Sequence, residues 1–101
     1  MKPAASKLFD IGQLGITVAA FDVCEAAGQD PILFVRRHQS GDWGILSKSE
    51  AADNKEAILT GEPILSHYKT LNGVDIYIIT EAAATKTGER PGSMLYTEGE
   101  Y

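Results

Sequence analysis

Ile64-Leu65-Ser66-His67-Tyr68-Lys69-Thr70-Leu71-Asn72-Gly73-Val74-Asp75-Ile76-Tyr77-Ile78-Ile79-Thr80 reads as two extended arms around a turn. Asn-Gly is the pair favoured in a type I′ hairpin, because both residues tolerate positive φ. In the second arm Val74, Ile76, Ile78 and Thr80 fall on one face, and Asp75, Tyr77, Ile79 and Glu81 on the other. Apolar character on both faces near the arm's end predicts a central strand. A small, polar stretch rich in Gly and Pro follows over 82–92, and Met94-Leu95-Tyr96-Thr97 offers another strand. The expected sheet is antiparallel, with about three strands.

Upstream of the hairpin the signals are helical. Thr17 is an N-cap for a helix over 18–27, with Phe21 and Cys24 on one face and Gly28 as the left-handed stop. Asp30-Pro31 starts a second helix, Asp as cap and Pro at the first turn, where its missing N–H costs nothing. That helix places Leu33, Phe34 and His38 toward one side, with Arg36 and Arg37 at its negative end. Ser47-Lys48-Ser49-Glu50 is a capping box opening a third helix that Gly61 closes. Its apolar positions Ala51, Ala57, Ile58 and Leu59 are few, which predicts a surface helix with one buried edge. The stretch 8–16, broken by Gly12 and Gly15, fits a short strand or extended arm. The fold class is therefore α+β: about three N-terminal helices, then the small antiparallel sheet, in one compact domain over 1–101.

Composition narrows the functional classes. The chain has 101 residues, 44% of them apolar, and a formal net charge of −5, which disfavours non-specific binding to nucleic acid or anionic membranes. Its single Cys24 cannot form an intramolecular disulfide and fits a reducing cytoplasm. Residues 1–6 lack the apolar run of a signal peptide, and no stretch reaches the length of a membrane span. No spacing matches a zinc or calcium motif, no glycine loop matches a phosphate or dinucleotide cradle, and Cys24 lacks the charged neighbours of a thiolate. No cofactor or metal is expected.

Functional groups concentrate in Arg36-Arg37-His38-Gln39-Ser40-Gly41-Asp42-Trp43-Gly44. His38 and Asp42 stand close enough in sequence for a carboxylate to orient an imidazole, the general acid–base arrangement. Arg36 or Arg37 beside them suits a phosphate, and Ser66, Tyr68 and Thr80 on the hairpin complete the set. Each residue also has a structural reading. His38 suits a helix C-cap, Asp42 an Asx-turn, and Trp43 a core anchor rather than a stacking platform. Gly41 and Gly44 meet a need for positive φ, Tyr68 and Tyr77 pack across the hairpin, and His67 faces solvent.

Phe9-Asp10-Ile11-Gly12-Gln13, Ala26, Gly28-Gln29-Asp30-Pro31, the loop from Arg37 to Gly44, Asn54, Ile64-Leu65-Ser66-His67-Tyr68, Ile78-Ile79-Thr80-Glu81-Ala82 and Glu100-Tyr101 form an ordered set of motifs. In this order they resemble a family of small bacterial plasmid-related proteins, carried on plasmids, integrative elements and prophages. The resemblance covers nearly the whole chain and implies a mobile-element context. One departure stands out: Ala83-Ala84 occupy the place of the family's Asp-Arg, and 85–93 is an insertion. Arg90 replaces the missing Arg only if that loop folds back.

Two readings follow. In the first, the protein is a mobile-element accessory factor that binds a host or element macromolecule in the cytoplasm, with counter-defence as one role. A protein is the expected partner ahead of nucleic acid, and the protein has no catalysis of its own. Arg36, Trp43, Glu50, Asp53 and Glu56, with Glu62, then serve binding. The hairpin's edge also offers a homodimer contact. In the second reading the protein is a metal-independent endoribonuclease, resembling the small antiparallel-sheet ribonucleases of toxin type. His38 then acts as acid or base, Arg37 sits on phosphate, and Asp42, Ser66, Tyr68 and Thr80 support them.

Overall fold

The computed structural model describes residues 7–98, so 1–6 and the Glu100-Tyr101 motif lie outside the described residues. The elements are β1 (Gln13–Ile16), α1 (Val18–Ala26), α2 (Pro31–Gln39), α3 (Lys48–Thr60), β2 (Ile64–Lys69), β3 (Asp75–Thr80) and β4 (Gly92–Thr97). The α+β class holds. Strand number and order need correction: the sheet has four strands in the order β1-β4-β3-β2, and it is mixed. β2–β3 and β3–β4 are antiparallel, whereas β1 pairs with β4 in parallel, Gln13 opposite Gly92 and Ile16 opposite Leu95. β3 is central, as its two-sided apolar pattern predicts.

Local chemistry sets the helix ends. The Ala20 N–H donates to Thr17 Oγ1 (3.1 Å), and the Ile32 N–H donates to Asp30 Oδ1 (2.9 Å). Ser47 and Glu50 close a reciprocal capping box at 3.0 and 3.1 Å, and Gly61 ends α3 with φ +85°. Two face assignments shift. α1 buries Ala20 and Cys24 and leaves Phe21 about half exposed, while α2 buries Phe34, Val35 and His38 and turns Leu33 outward. Burial raises the pKa of the Cys24 thiol.

The hairpin turn also departs from its expected type. Among the described residues none but glycine has positive φ, so Asn72 is not in the type I′ conformation. Gly73 (φ +79°) instead follows a turn in which its own N–H donates to the Thr70 carbonyl (2.8 Å), and the Thr70 N–H donates to the Val74 carbonyl (2.9 Å). This is the three-residue loop with a glycine bulge, the next most common hairpin solution.

All three helices contribute core residues to one face of the sheet. Ala20, Cys24, Phe34 and Val35 pack on Tyr68, Ile76, Ile78 and Leu95, and Ala57 packs with Trp43 and Ile64 in a second cluster. On β2, Ile64 belongs to one cluster and Tyr68 to the other, with Ser66 between them. The residues alternating with these, on the opposite face, have no place in either cluster.

The sheet's two edges differ. Along β2 the outward backbone groups of Leu65 and His67 are both occupied. Asn54 on α3 accepts from the Leu65 N–H (3.1 Å) and donates to its carbonyl (2.6 Å), acting as one residue of an added strand. The His67 N–H donates to the Trp43 carbonyl (3.1 Å), and the Ile45 N–H donates to that of His67 (2.7 Å). These contacts occupy the β2 edge at Leu65 and His67, where the hairpin's edge pairing was expected. β1, at the other edge, pairs only with β4 among the described strands.

Candidate functional site

The functional-looking loop leaves the C-terminus of α2 and is pinned against β2. Trp43 is 6% exposed, and its indole N–H donates to the His38 carbonyl (3.0 Å). It is the anchor of the loop, and its burial removes it from the exposed binding set. The Tyr68 hydroxyl donates to the Asp42 carbonyl (2.6 Å). Gly44 (φ +75°) bridges His67, so close that a Cβ would collide with the His67 carbonyl oxygen.

Asp42 does not orient His38. Its carboxylate takes two hydrogen bonds from the Arg37 guanidinium, at 2.7 and 3.3 Å, and one from the Gly44 N–H, at 3.3 Å. The last is the Asx-turn contact. The Arg37 bond holds the Asp42 pKa below the usual carboxylate range, and the Asp42 bond raises that of Arg37. The guanidinium also lies 4.6 Å from the Tyr68 ring centroid. Arg37 is thus engaged on both its edge and its face, while Arg36 is exposed at the helix end.

His38 is fully buried, and the groups around its ring are hydroxyls. Nδ1 meets Ser66 Oγ, Nε2 lies 2.8 Å from Thr80 Oγ1, Thr80 Oγ1 lies 2.7 Å from Ser93 Oγ, and Ser93 Oγ lies 2.8 Å from the Ile11 carbonyl. Counting hydrogens assigns every bond. Ile11 O can only accept, so Ser93 donates to it, Thr80 donates to Ser93, and His38 donates from Nε2 to Thr80. In the neutral ring that burial favours, Nδ1 accepts and Ser66 donates to it, which holds the imidazole as one tautomer. Burial lowers its pKa to about 4, with the Arg90 charge adding to the effect. This polar seam links α2, β2, β3, β4 and the chain before β1, between the two apolar clusters. The Phe9 ring stands perpendicular to the imidazole at a centroid distance of 5.1 Å.

Ser66 and Thr80 therefore do join His38, as the hydrolytic set requires, but in the interior, with no exposed surface on any of the three. Tyr68 is buried beside them, facing away from Tyr77 across the strand pleat. Burial and the Asp42 carbonyl bond leave its hydroxyl no free donor, and burial raises its pKa.

The segment after β3 folds back onto α3. The Ala83 N–H donates to the Gly61 carbonyl (2.8 Å), and the buried Arg90 donates to the carbonyls of Glu62 (2.8 Å), Glu81 (3.0 Å) and Ala57 (3.0 Å). Ala57 is in the last turns of α3, so the guanidinium meets the negative end of that helix. Arg90 thereby acts as a clamp between helix and sheet. Two roles escaped sequence reasoning here: Arg90 as a clamp and Asn54 as a strand mimic. Asn54 stands among the quoted motifs and Arg90 only as a substitute conditional on the 85–93 stretch folding back, and neither expectation names the role.

The face of the sheet away from the helices carries two rows. In one, Leu65, Ile79, Met94 and Gly15 stand opposite one another. In the other, the rings of His67, Tyr77 and Tyr96 stack in sequence, with centroids 4.5 and 5.5 Å apart. Asp75 takes bonds from His67 Nε2 (2.9 Å) and Lys69 Nζ (3.1 Å), which hold its carboxyl pKa low. On α3, Asp53 and Glu56 are exposed three residues apart, on one side of the helix. Glu50, in the same series, is committed to the capping box, and its pKa is lowered by the Ser47 N–H. Among the described residues no three His, Cys, Asp or Glu side chains gather as metal ligands, and no helix is long and apolar enough to cross a membrane. Comparison with protein-family models, curated proteins and solved structures finds no match for this chain.

Proposed function

We propose that the protein is an accessory factor of a mobile genetic element, acting in the cytoplasm by binding a protein of the host or the element, without catalysis of its own. The observation that carries this reading is the contrast between a sealed His38 and a sheet face that no helix among the described residues covers. The groups suited to acid–base chemistry are inside and mutually satisfied, whereas half-buried apolar and aromatic side chains line the other face of the sheet. Tyrosines and a methionine are favoured at protein interfaces, where rigid rings bury area at low entropic cost. The net charge of −5 and the exposed Asp53, Glu56 and Glu62 favour a basic partner surface, of the kind carried by nucleic-acid-handling enzymes. The motifs shared with plasmid-related proteins support the mobile-element context.

The test is cross-linking capture from host cells with the full chain and with a Tyr77→Asp/Tyr96→Asp variant of equal thermal stability. Capture by the wild type that weakens with salt and is lost in the variant supports the reading. A parallel incubation with total RNA in EDTA carries the opposite outcome. Cleavage by the wild type that disappears in a folded His38→Ala protein overturns the binding reading in favour of a nuclease.

A further inference from the structure

We propose that β1 is a docking edge that accepts an extended, arginine-bearing segment of a partner protein as a fifth strand. The inference rests on the binding reading above and locates where the partner enters. Donors from β1 to β4 alternate: the Gln13 N–H reaches the Pro91 carbonyl (3.1 Å) and the Thr17 N–H that of Leu95 (3.0 Å). In a parallel ladder the backbone groups of the intervening Leu14 and Ile16 point the other way, off the sheet. Their side chains pack against the core, so the strand is anchored while its hydrogen-bonding edge faces outward. The opposite edge, along β2, is closed at Leu65 and His67; β1 has no such closure among the described residues.

The charge of the guest follows from the cleft beside this edge. On the open face, a cleft of about 410 Å³ is lined by residues that include Gln13, Gly15, Glu81, Gly92 and Met94. Gly92 leaves its floor bare, and the Met94 thioether lies over Gly15 as a wall. The Glu81 carboxylate leans over Gly92, and Glu81 is otherwise exposed. A strand added beside β1 lies two strand spacings from that carboxylate, about 10 Å. That is close to the span of an extended arginine side chain plus one hydrogen bond. Main-chain bonds to Leu14 and Ile16 would supply register, and the Glu81 pair would supply selection.

The experiment follows backbone-amide NMR shifts of the full chain on titration with a short synthetic peptide alternating valine and arginine. Controls are a valine–glutamate peptide and a backbone N-methylated copy of the first. The expected result is movement of the Leu14, Ile16 and Gly92 amides with the arginine peptide alone, and affinity about tenfold weaker in Glu81→Gln. Four outcomes overturn the proposal: no binding, binding unchanged in Glu81→Gln, equal binding of the N-methylated peptide, or self-association through Leu14 and Ile16 that excludes it. Shifts confined to His67, Tyr77 and Tyr96 also overturn it, and leave the broader binding reading standing.

Discussion

The chain holds two histidines, and the sheet puts them on opposite faces. His38 is enclosed by three elements, and both its nitrogens are occupied by hydroxyls from strands that cross beneath it. His67 lies on the open face, stacked on Tyr77 and bonded to Asp75 at the rim. The first holds the interior in one arrangement. The second is a removable part of a surface. Residue type predicts neither role; the supply of partners does.

Removing the two rings should separate the faces most sharply. His38→Ala leaves Ser66 and Thr80 without their partner in a sealed site and opens a cavity beneath Phe9. A loss of about 3–5 kcal/mol is expected by urea unfolding. Equal stability of His38→Ala and His67→Ala would abolish the distinction. Acid supplies the next largest effect. The His38 pKa falls from its ordinary value near 6.5 to about 4 on folding. Unfolded chains therefore bind the extra proton first, and stability falls as pH drops from 6.5 toward 4. The associated change is on the order of 3 kcal/mol. It should vanish above pH 7, and an NMR titration of His38 should show a neutral ring at pH 5.

Ser66→Ala sharpens the comparison further by taking away only the donor to Nδ1. A cost of about 1–3 kcal/mol is expected, together with strong non-additivity against Thr80→Val in a double-mutant cycle, because both hydroxyls act through one ring. The smallest effect belongs to the open face. Tyr77→Ala should change stability by no more than about 1 kcal/mol, because it deletes cross-strand contacts that water can replace. A larger loss in thermal melting would show that the aromatic row supports the fold.

What was legible in the sequence is what depends on neighbours in sequence. Thr17, Asp30-Pro31 and the Ser47–Glu50 box act within one helical turn, and β3 announced itself through alternation. The hairpin was legible although its turn type was not, because Asn72-Gly73 serves a bulged loop as well as a tight one. The parallel β1–β4 pair was hidden: four residues with a central glycine carry no pattern, and their partner lies near the other end of the chain. The buried seam was hidden for the same reason, since Ser66 and Thr80 are 28 and 42 residues from His38. Sequence spacing brought His38 to Asp42, but Arg37 is nearer to that carboxylate and charged, and it wins.

The β1–β4 ladder also sets an order of events at birth. Among the described strands β1 leaves the ribosome first and its partner β4 last, so the sheet cannot close until β4 has emerged. Ser93, on that same late strand, reaches back to Ile11 and supplies the final link to the imidazole. Until then the helices shelter a core with one wall absent, and His38 has only part of its hydroxyl shell. Contacts so distant along the chain slow folding and extend the time its apolar surface is on view. A nascent chain halted before Gly92 should remain a substrate for chaperones and proteases, whatever the quality of its helices.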